Sequence, residues 1–314
     1  MFKYERDLLE KRAKNLNFIK DTYEKVYRLS DILSDMNANE LYRDSLALKG
    51  GTAINLTVFN MPRLSVDIDF DFILPVSRDE MIAKRELINQ SLIKYMLAND
   101  YYLSDKTKNP HTLDSWVFYY INTSGNRDNI KIEINYSNRV HIQEITQREI
   151  TTDALSSRYK VTTIGKIELF GSKLAALVGR TAARDLYDIS NMVYYGIIDG
   201  EDYDLLRKCF VFYYTLSAQT IDMQGDIENI NSITMRKIKT DLYPVISTKE
   251  KFDLEATKKR VYDFAKELIS LSKDEVEYVK CFENKEYRPE LLFRDVEIVE
   301  RIKDHPMALW KMRK

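Results

Sequence analysis

With 314 residues, 44% of them hydrophobic, the chain is long enough for about two domains with substantial cores. Its 48 Lys and Arg against 49 Asp and Glu leave a formal charge of −1. That balance excludes a globally basic nucleic-acid coat protein while leaving room for a local basic surface. Cys209 and Cys281 lie far apart without metal-ligand spacing and read as reduced structural thiols, and His111, His141 and His305 are too scattered to form a ligand set. The charged start, Met1-Phe2-Lys3-Tyr4-Glu5-Arg6-Asp7, and the absence of an apolar run near the ~20 residues a bilayer requires predict a soluble, cytoplasmic protein with no leader and no membrane span.

From the N-terminus, Leu8, Leu9, Ala13, Leu16, Ile19, Tyr23, Val26, Leu29, Ile32 and Leu33 recur at spacings of three and four, which predicts one amphipathic helix over residues 5–36. Residues 41–48 form a short apolar approach to Gly50-Gly51, a pair worth notice in a chain with only nine glycines. The pair opens a short apolar helix over 52–59. A Pro62-marked turn follows, and then a strand with carboxylates on every second residue. Side chains alternate across a strand, so Asp67, Asp69 and Asp71 share one face while Val66, Ile68, Phe70 and Phe72 turn toward the core. Ser77-Arg78-Asp79-Glu80 caps a helix running to about Asn99. Residues 101–103, 115–121 and 130–136 are rich in aromatic and β-branched side chains and read as strands of one antiparallel sheet, with a turn at Ser124-Gly125-Asn126. After about Ile164 strand signals fade, and 167–178, 182–195, 203–216 and 254–271 are helical by period, placing a boundary between 150 and 165. The stretch from Asn284, interrupted by Pro289 and Pro306, reads as a short helix or two with a loosely held end.

The chemistry concentrates between residues 49 and 72. Carboxylates two apart on a strand sit roughly 6.5–7 Å apart at the backbone, and such like charges repel unless a cation neutralises them. Asp67 and Asp69 are therefore candidate ligands for one or two divalent cations. Glycines let backbone N–H groups approach a phosphate closely, and a helix N-terminus adds a favourable dipole. Ser65 shares the carboxylate face. A lone Gly-Gly is a tight turn and lone aspartates a solvated face; at this separation the two together point to a nucleotide-and-metal site. Two-metal phosphoryl transfer calls for a third carboxylate. Glu133 is the candidate, since Ile130, Ile132 and Ile134 take the core face of its strand; its competing reading is an exposed charge. A second cluster runs from Glu168 to Asp188. In one unbroken helix Lys173 and Asp188 would stand about 22 Å apart, but Gly179 and Thr181 predict a turn that folds Arg184, Asp185 and Asp188 back toward Lys173 and Arg180. An ordinary ion-pair network is the competing reading there.

In this order the pieces resemble the DNA polymerase β-like nucleotidyltransferase superfamily. More narrowly, Leu48-Lys49-Gly50-Gly51-Thr52-Ala53, Arg63-Leu64-Ser65-Val66-Asp67-Ile68-Asp69-Phe70, Lys173-Leu174-Ala175-Ala176-Leu177 and Arg184-Asp185-Leu186-Tyr187-Asp188 resemble the four motifs of the AbiEii/AbiGii toxin family, over about residues 45 to 195. The chain thus reads as α+β: a nucleotidyltransferase domain over 1–160, for which the resemblance implies a mixed sheet flanked by helices, then, by its helical period, a mostly helical domain over 161–314 that would supply the Lys and Asp motifs and acceptor binding. The resemblance implies that Gly50 and Gly51 bind triphosphate with help from Ser65, that Asp67 and Asp69 hold Mg²⁺, that Lys173 contacts the nucleotide, and that Asp185 or Asp188 completes the site. From the residues themselves Thr52 and Arg180 are added as candidate nucleotide contacts and Glu133 as the candidate third metal carboxylate. Family relatives add nucleotides to the 3′ end of tRNA, with GTP the expected donor, and act in abortive infection and phage defence beside a cognate antitoxin. Two other readings stand beside this one: a nucleotidyltransferase acting on a small molecule or protein hydroxyl, and a non-catalytic partner-binding module on the same fold. Arg236, Lys237, Lys239, Lys258, Lys259 and Arg260, interleaved with Tyr243 and Tyr262, offer a basic track for an RNA acceptor, or a plain solvated helix surface.

Overall fold

The computed structural model describes residues 4–152, 154–155 and 158–313. In chain order the elements are α1 (Arg6–Leu16), α2 (Lys20–Ala38), α3 (Glu40–Arg43), β1 (Leu46–Lys49), α4 (Gly50–Thr57), β2 (Asp67–Phe72), α5 (Arg78–Ala98), β3 (Tyr102–Leu103), β4 (Leu113–Ile121), β5 (Arg127–Asn135), β6 (Thr146–Glu149) and β7 (Lys160–Thr163). Helices follow: α6 (Lys166–Arg180), α7 (Ala183–Tyr194), α8 (Tyr203–Ser217), α9 (Met223–Glu228), α10 (Met235–Lys237), α11 (Leu254–Leu268), α12 (Lys273–Glu283), α13 (Pro289–Leu292), α14 (Val296–Ile302) and α15 (Pro306–Met312). Two compact units result. One holds residues 1–139, 145–163 and 245–250; the other holds 140–144, 164–244 and 251–314.

The first unit is built on a seven-stranded sheet of order β3-β4-β5-β2-β1-β7-β6. The strands over 102–103, 113–121 and 127–135 pair antiparallel as their sequence predicts, but β2 pairs with β5, and β1 with β7, in parallel. The sheet is thus mixed, as the family resemblance implies and as local alternation alone cannot show. Strands β6 and β7 carry no hydrophobic alternation long enough to be read from sequence. The long N-terminal helix predicted over 5–36 is two helices. Asn17 adopts the left-handed conformation (φ 59°), its N–H bonding Ala13 O and Lys14 O, a state that asparagine tolerates better than most residues. Apolar spacing continues across the break, so periodicity does not reveal it. Along β2 and β5, Ile68, Phe70, Phe72, Ile130, Ile132 and Ile134 are buried, and α2 packs against β5 and β7. The buried Glu24 of α2 accepts two bonds from Arg28 (2.9 and 2.8 Å) and one from Thr123 N (3.0 Å), which pays for its loss of water.

Every element of the second unit is helical. Helices α6 and α8 meet at Gly171, where a Cβ would come within 2.5 Å of Cys209 Cβ, so glycine there permits the close approach. Both cysteines are free and buried. The proline-interrupted C-terminal stretch forms three short helices rather than one or two, anchored by buried Leu292, Phe293, Ile302, His305 and Ala308. Among the described residues no helix is long and apolar enough to cross a membrane.

Candidate active site

Strand β1 ends at Lys49 and the chain turns at once into α4 through Gly50, whose φ of +66° lies in the region that favours glycine. A Cβ on residue 50 would stand 2.7 Å from Asp69 Oδ2, so the turn presses backbone against that carboxylate. Thr52 Oγ1 donates to Ser65 Oγ (2.9 Å) and to the carbonyl of Asp67, tying the first turn of α4 to the lead-in of β2.

Register then sets out the charges. On neighbouring strands Lys49 lies opposite Asp69, Asp69 opposite Glu133, and Glu133 opposite Ser115, while Asp67 lies opposite Lys131. Asp67 and Asp69 are half-buried on the face predicted for them. Asp71 is buried and paired with Lys49 Nζ at 2.5 Å, so that third aspartate is a structural counter-ion rather than an open ligand. Lys131 Nζ reaches Glu133 Oε1 at 2.9 Å, and Ser115 Oγ donates to the same oxygen at 2.9 Å. Burial pushes the Glu133 carboxyl up, but these two bonds and the nearby Lys49 outweigh it and hold it below the ordinary glutamate range. Burial likewise lowers Lys131, but Glu133, Asp67 and Asp69 together raise it above the usual lysine value. Asp67, Asp69, Asp71 and Glu133 face Lys49 and Lys131, with the Arg63 guanidinium behind Gly51, and the one negative charge left over suits a cation. The donor set therefore fits a divalent ion at Asp67 and Asp69. Glu133 shares their face but is drawn to Lys131 and Ser115, and among the described residues no three acidic, His or Cys side chains stand close enough to form a ready ligand set.

In the helical unit the predicted turn exists. Thr181 takes the left-handed conformation (φ 49°) as the C-cap of α6, rather than serving as an N-cap, and Ala182 precedes α7. Gly179 remains inside α6. The turn lays α7 against α6, so that Lys173 Nζ stands 2.9 Å from Asp185 Oδ1 and 3.2 Å from Asp188 Oδ2. Arg180 reaches Asp185 Oδ2 at 2.6 Å. Lys173 is 7% exposed, Asp185 2% and Asp188 0%, whereas the Arg180 side chain is 63% exposed. Burial raises the Asp185 carboxyl, but Lys173 and Arg180 more than reverse it and hold it below the usual aspartate value. A further buried cluster centres on Glu168, which accepts from His141 Nδ1 (3.2 Å), Gln143 N (2.7 Å) and Tyr213 Oη, partners that its place in the sequence does not suggest.

The predicted basic track is partly consumed. Lys258 pairs with Glu255, Lys259 with Asp263 and Tyr262 with Glu228, while Arg260 bonds Ser190 and lies over the Tyr194 ring. Arg236, Lys237, Lys239 and Tyr243 stay exposed around a π-helical turn, Ile238–Leu242, with Lys237 donating to Thr181. Sequence alone assigns no role to Lys49, Lys131 or Arg63. Lys131 stands two residues before Glu133 on one strand face, which is local, but its pairing with β2 is not.

Comparison with known proteins bears on the fold and the family. The solved structure of MenT4, a nucleotidyltransferase toxin from Mycobacterium tuberculosis H37Rv, superposes with a TM-score of 0.67 at 16% identity, over 98% of this chain and 99% of that one. At that identity the likeness speaks for the fold. No curated protein matches the sequence. Residues 31–284 match the family described as nucleotidyl transferase AbiEii toxin, type IV toxin–antitoxin system, which implies an antitoxin partner and sets aside the reading of a non-catalytic binding module. The chain belongs to the AbiEii family and is a nucleotidyltransferase toxin of a type IV toxin–antitoxin system.

Proposed function

We propose that this enzyme transfers a nucleoside monophosphate from a nucleoside triphosphate, with GTP the expected donor and Mg²⁺ the expected cation, to the 3′ end of tRNA in the cytoplasm. Translation then stops, as abortive infection by phage requires. The observation that carries the reading is the placement of Asp67 and Asp69 on one face of β2, beside the Gly50 turn that opens α4. Asp67 and Asp69 hold the cation, and Glu133 joins them on parting from Lys131. A bound divalent cation supplies charge neutralisation between the triphosphate and the attacking oxygen. Backbone N–H groups of Gly50, Gly51 and Thr52 bind triphosphate oxygens, with the Ser65 hydroxyl beside them. The acceptor hydroxyl forms a bond to the α-phosphorus, its proton passes to a carboxylate (Glu133 by position), and the bond to the β-phosphate breaks to release pyrophosphate. In the helical unit Lys173 and Arg180 are assigned to nucleotide contact, Asp185 and Asp188 to orienting the Lys173 ammonium, and Arg236, Lys237, Lys239 and Tyr243 to the RNA acceptor.

Incubation of the purified protein with Mg²⁺, each labelled nucleoside triphosphate in turn, and total tRNA tests this. Label on tRNA, absent with Asp67→Ala and absent with chelator, is the expected result. Label on a protein or a small metabolite instead would replace the tRNA acceptor with one of those classes.

A further inference from the structure

The two adjacent glycines are glycine for different reasons. Residue 50 needs its left-handed backbone, whereas residue 51 does not. At residue 51 a Cβ would stand 2.5 Å from Arg63 Nη2, 3.5 Å from Arg63 Cζ and 3.1 Å from Ser65 Oγ. The guanidinium of Arg63 fills the space a side chain would need. That arginine is 2% exposed. Its Nη1 donates to Leu64 O at 3.1 Å, its backbone bridges to Ile246, and Leu64 N donates to Val245 O at 2.7 Å. The segment around it is thus tied to residues 245 and 246, and Nη2 of its planar head points at the first turn of α4. Arginine keeps its charge at any working pH. A cation set beside the positive end of a helix is unfavourable in itself, and it raises the potential at the open N–H groups in a way that favours a polyanion.

We infer that Arg63 is a positioning residue of the triphosphate site: wedged against Gly51, it fixes the turn and Ser65 for the phosphates and adds charge from behind without touching them. This rests on the nucleotidyl-transfer reading above.

A double-mutant cycle on the full chain tests it, reading nucleoside-triphosphate affinity by calorimetry alongside kcat, KM and melting temperature. Gly51→Ala in the Arg63 background should weaken nucleotide affinity about tenfold or more, because the methyl drives the guanidinium away. In an Arg63→Ala background the same methyl meets open space, and most of that loss should vanish, a coupling of the size expected for residues in contact. Should Arg63→Ala fail to fold, Arg63→Lys serves in its place. It keeps the charge but not the planar wedge, and should raise the KM for nucleotide severalfold with kcat nearly unchanged. Equal Gly51→Ala losses in both backgrounds, or Arg63→Lys lowering melting temperature with nucleotide KM intact, would overturn the inference. A wild-type protein that binds no nucleoside triphosphate would instead remove the reading beneath it, and the role of Arg63 with it.

Discussion

Replacing Lys173 by methionine separates two roles for that residue. Its ammonium is buried between Asp185 and Asp188, at 2.9 and 3.2 Å, and both carboxylates are withdrawn from water. Methionine keeps the volume of the stem and removes only the charge. Asp185 then retains the exposed Arg180, while Asp188 loses a close cation. Breaking a buried pair from one side costs about 3–5 kcal/mol, because the partner's charge stays buried. The expected loss lies in that range, against about 0–1 kcal/mol for Arg180→Ala, whose side chain is mostly solvated. Urea denaturation of both variants at pH 7 measures the difference. The pH dependence carries a sign. In the wild type the Asp185 carboxyl is held below its unfolded value, so its contribution is complete above about pH 3.9 and is lost as pH falls through the lower folded value. In Lys173→Met the carboxylates are easier to protonate, and the stability gap to wild type should narrow on acidification from pH 6 to pH 3. Unchanged stability in Lys173→Met, with a raised nucleotide KM, would refute the ion-triad argument and leave a pure substrate contact. A gap that widens in acid would refute its electrostatics.

Asp67→Asn and Asp69→Asn should abolish transfer while melting at the wild-type temperature or slightly above, since each removes a charge from an acid-rich face; a drop of many degrees in a thermal scan would mark these residues as structural. Gly50→Ala forces a side chain into a left-handed backbone, at a cost of about 1–2 kcal/mol, and sets a methyl against Asp69 Oδ2. Both stability and transfer should fall, and full activity in a labelled-nucleotide assay would detach the turn from the site. His305 is buried edge-on to Phe212, at 5.2 Å between ring centroids. Burial first, and His141 second, lower its pKa to about 3, against the opposing pull of Glu168. Folding therefore favours its neutral form, so its contribution is complete above about pH 6.5 and declines as pH falls toward 3. His305→Leu should flatten the acid limb of a melting-temperature profile, and an unchanged limb would assign that limb to other groups.

Much of the candidate site lies within reach of local rules. Gly50-Gly51, the short helix and the Asp-x-Asp strand are contiguous, and the period of two in residues 67–72 places Asp67 and Asp69 on one face before any tertiary contact is known. The turn after Arg180 is likewise local, and it suffices to fold Asp185 and Asp188 back onto Lys173. What these rules cannot reach is pairing between distant segments. The parallel register of β2 with β5 sets Lys131 beside Asp67 and Glu133 beside Asp69 across more than sixty residues of chain, and the pairing of β4 with β5 brings Ser115 to Glu133, which its own strand neighbour Lys131 also engages. Burial is equally non-local: Asp71 reads like its two neighbours along the strand, yet Lys49 and the surrounding core make it a counter-ion. Arg63 lies two residues before Ser65 in plain view, and only the packing of α4 against the start of β2 shows that its guanidinium fills the space which Gly51 leaves empty.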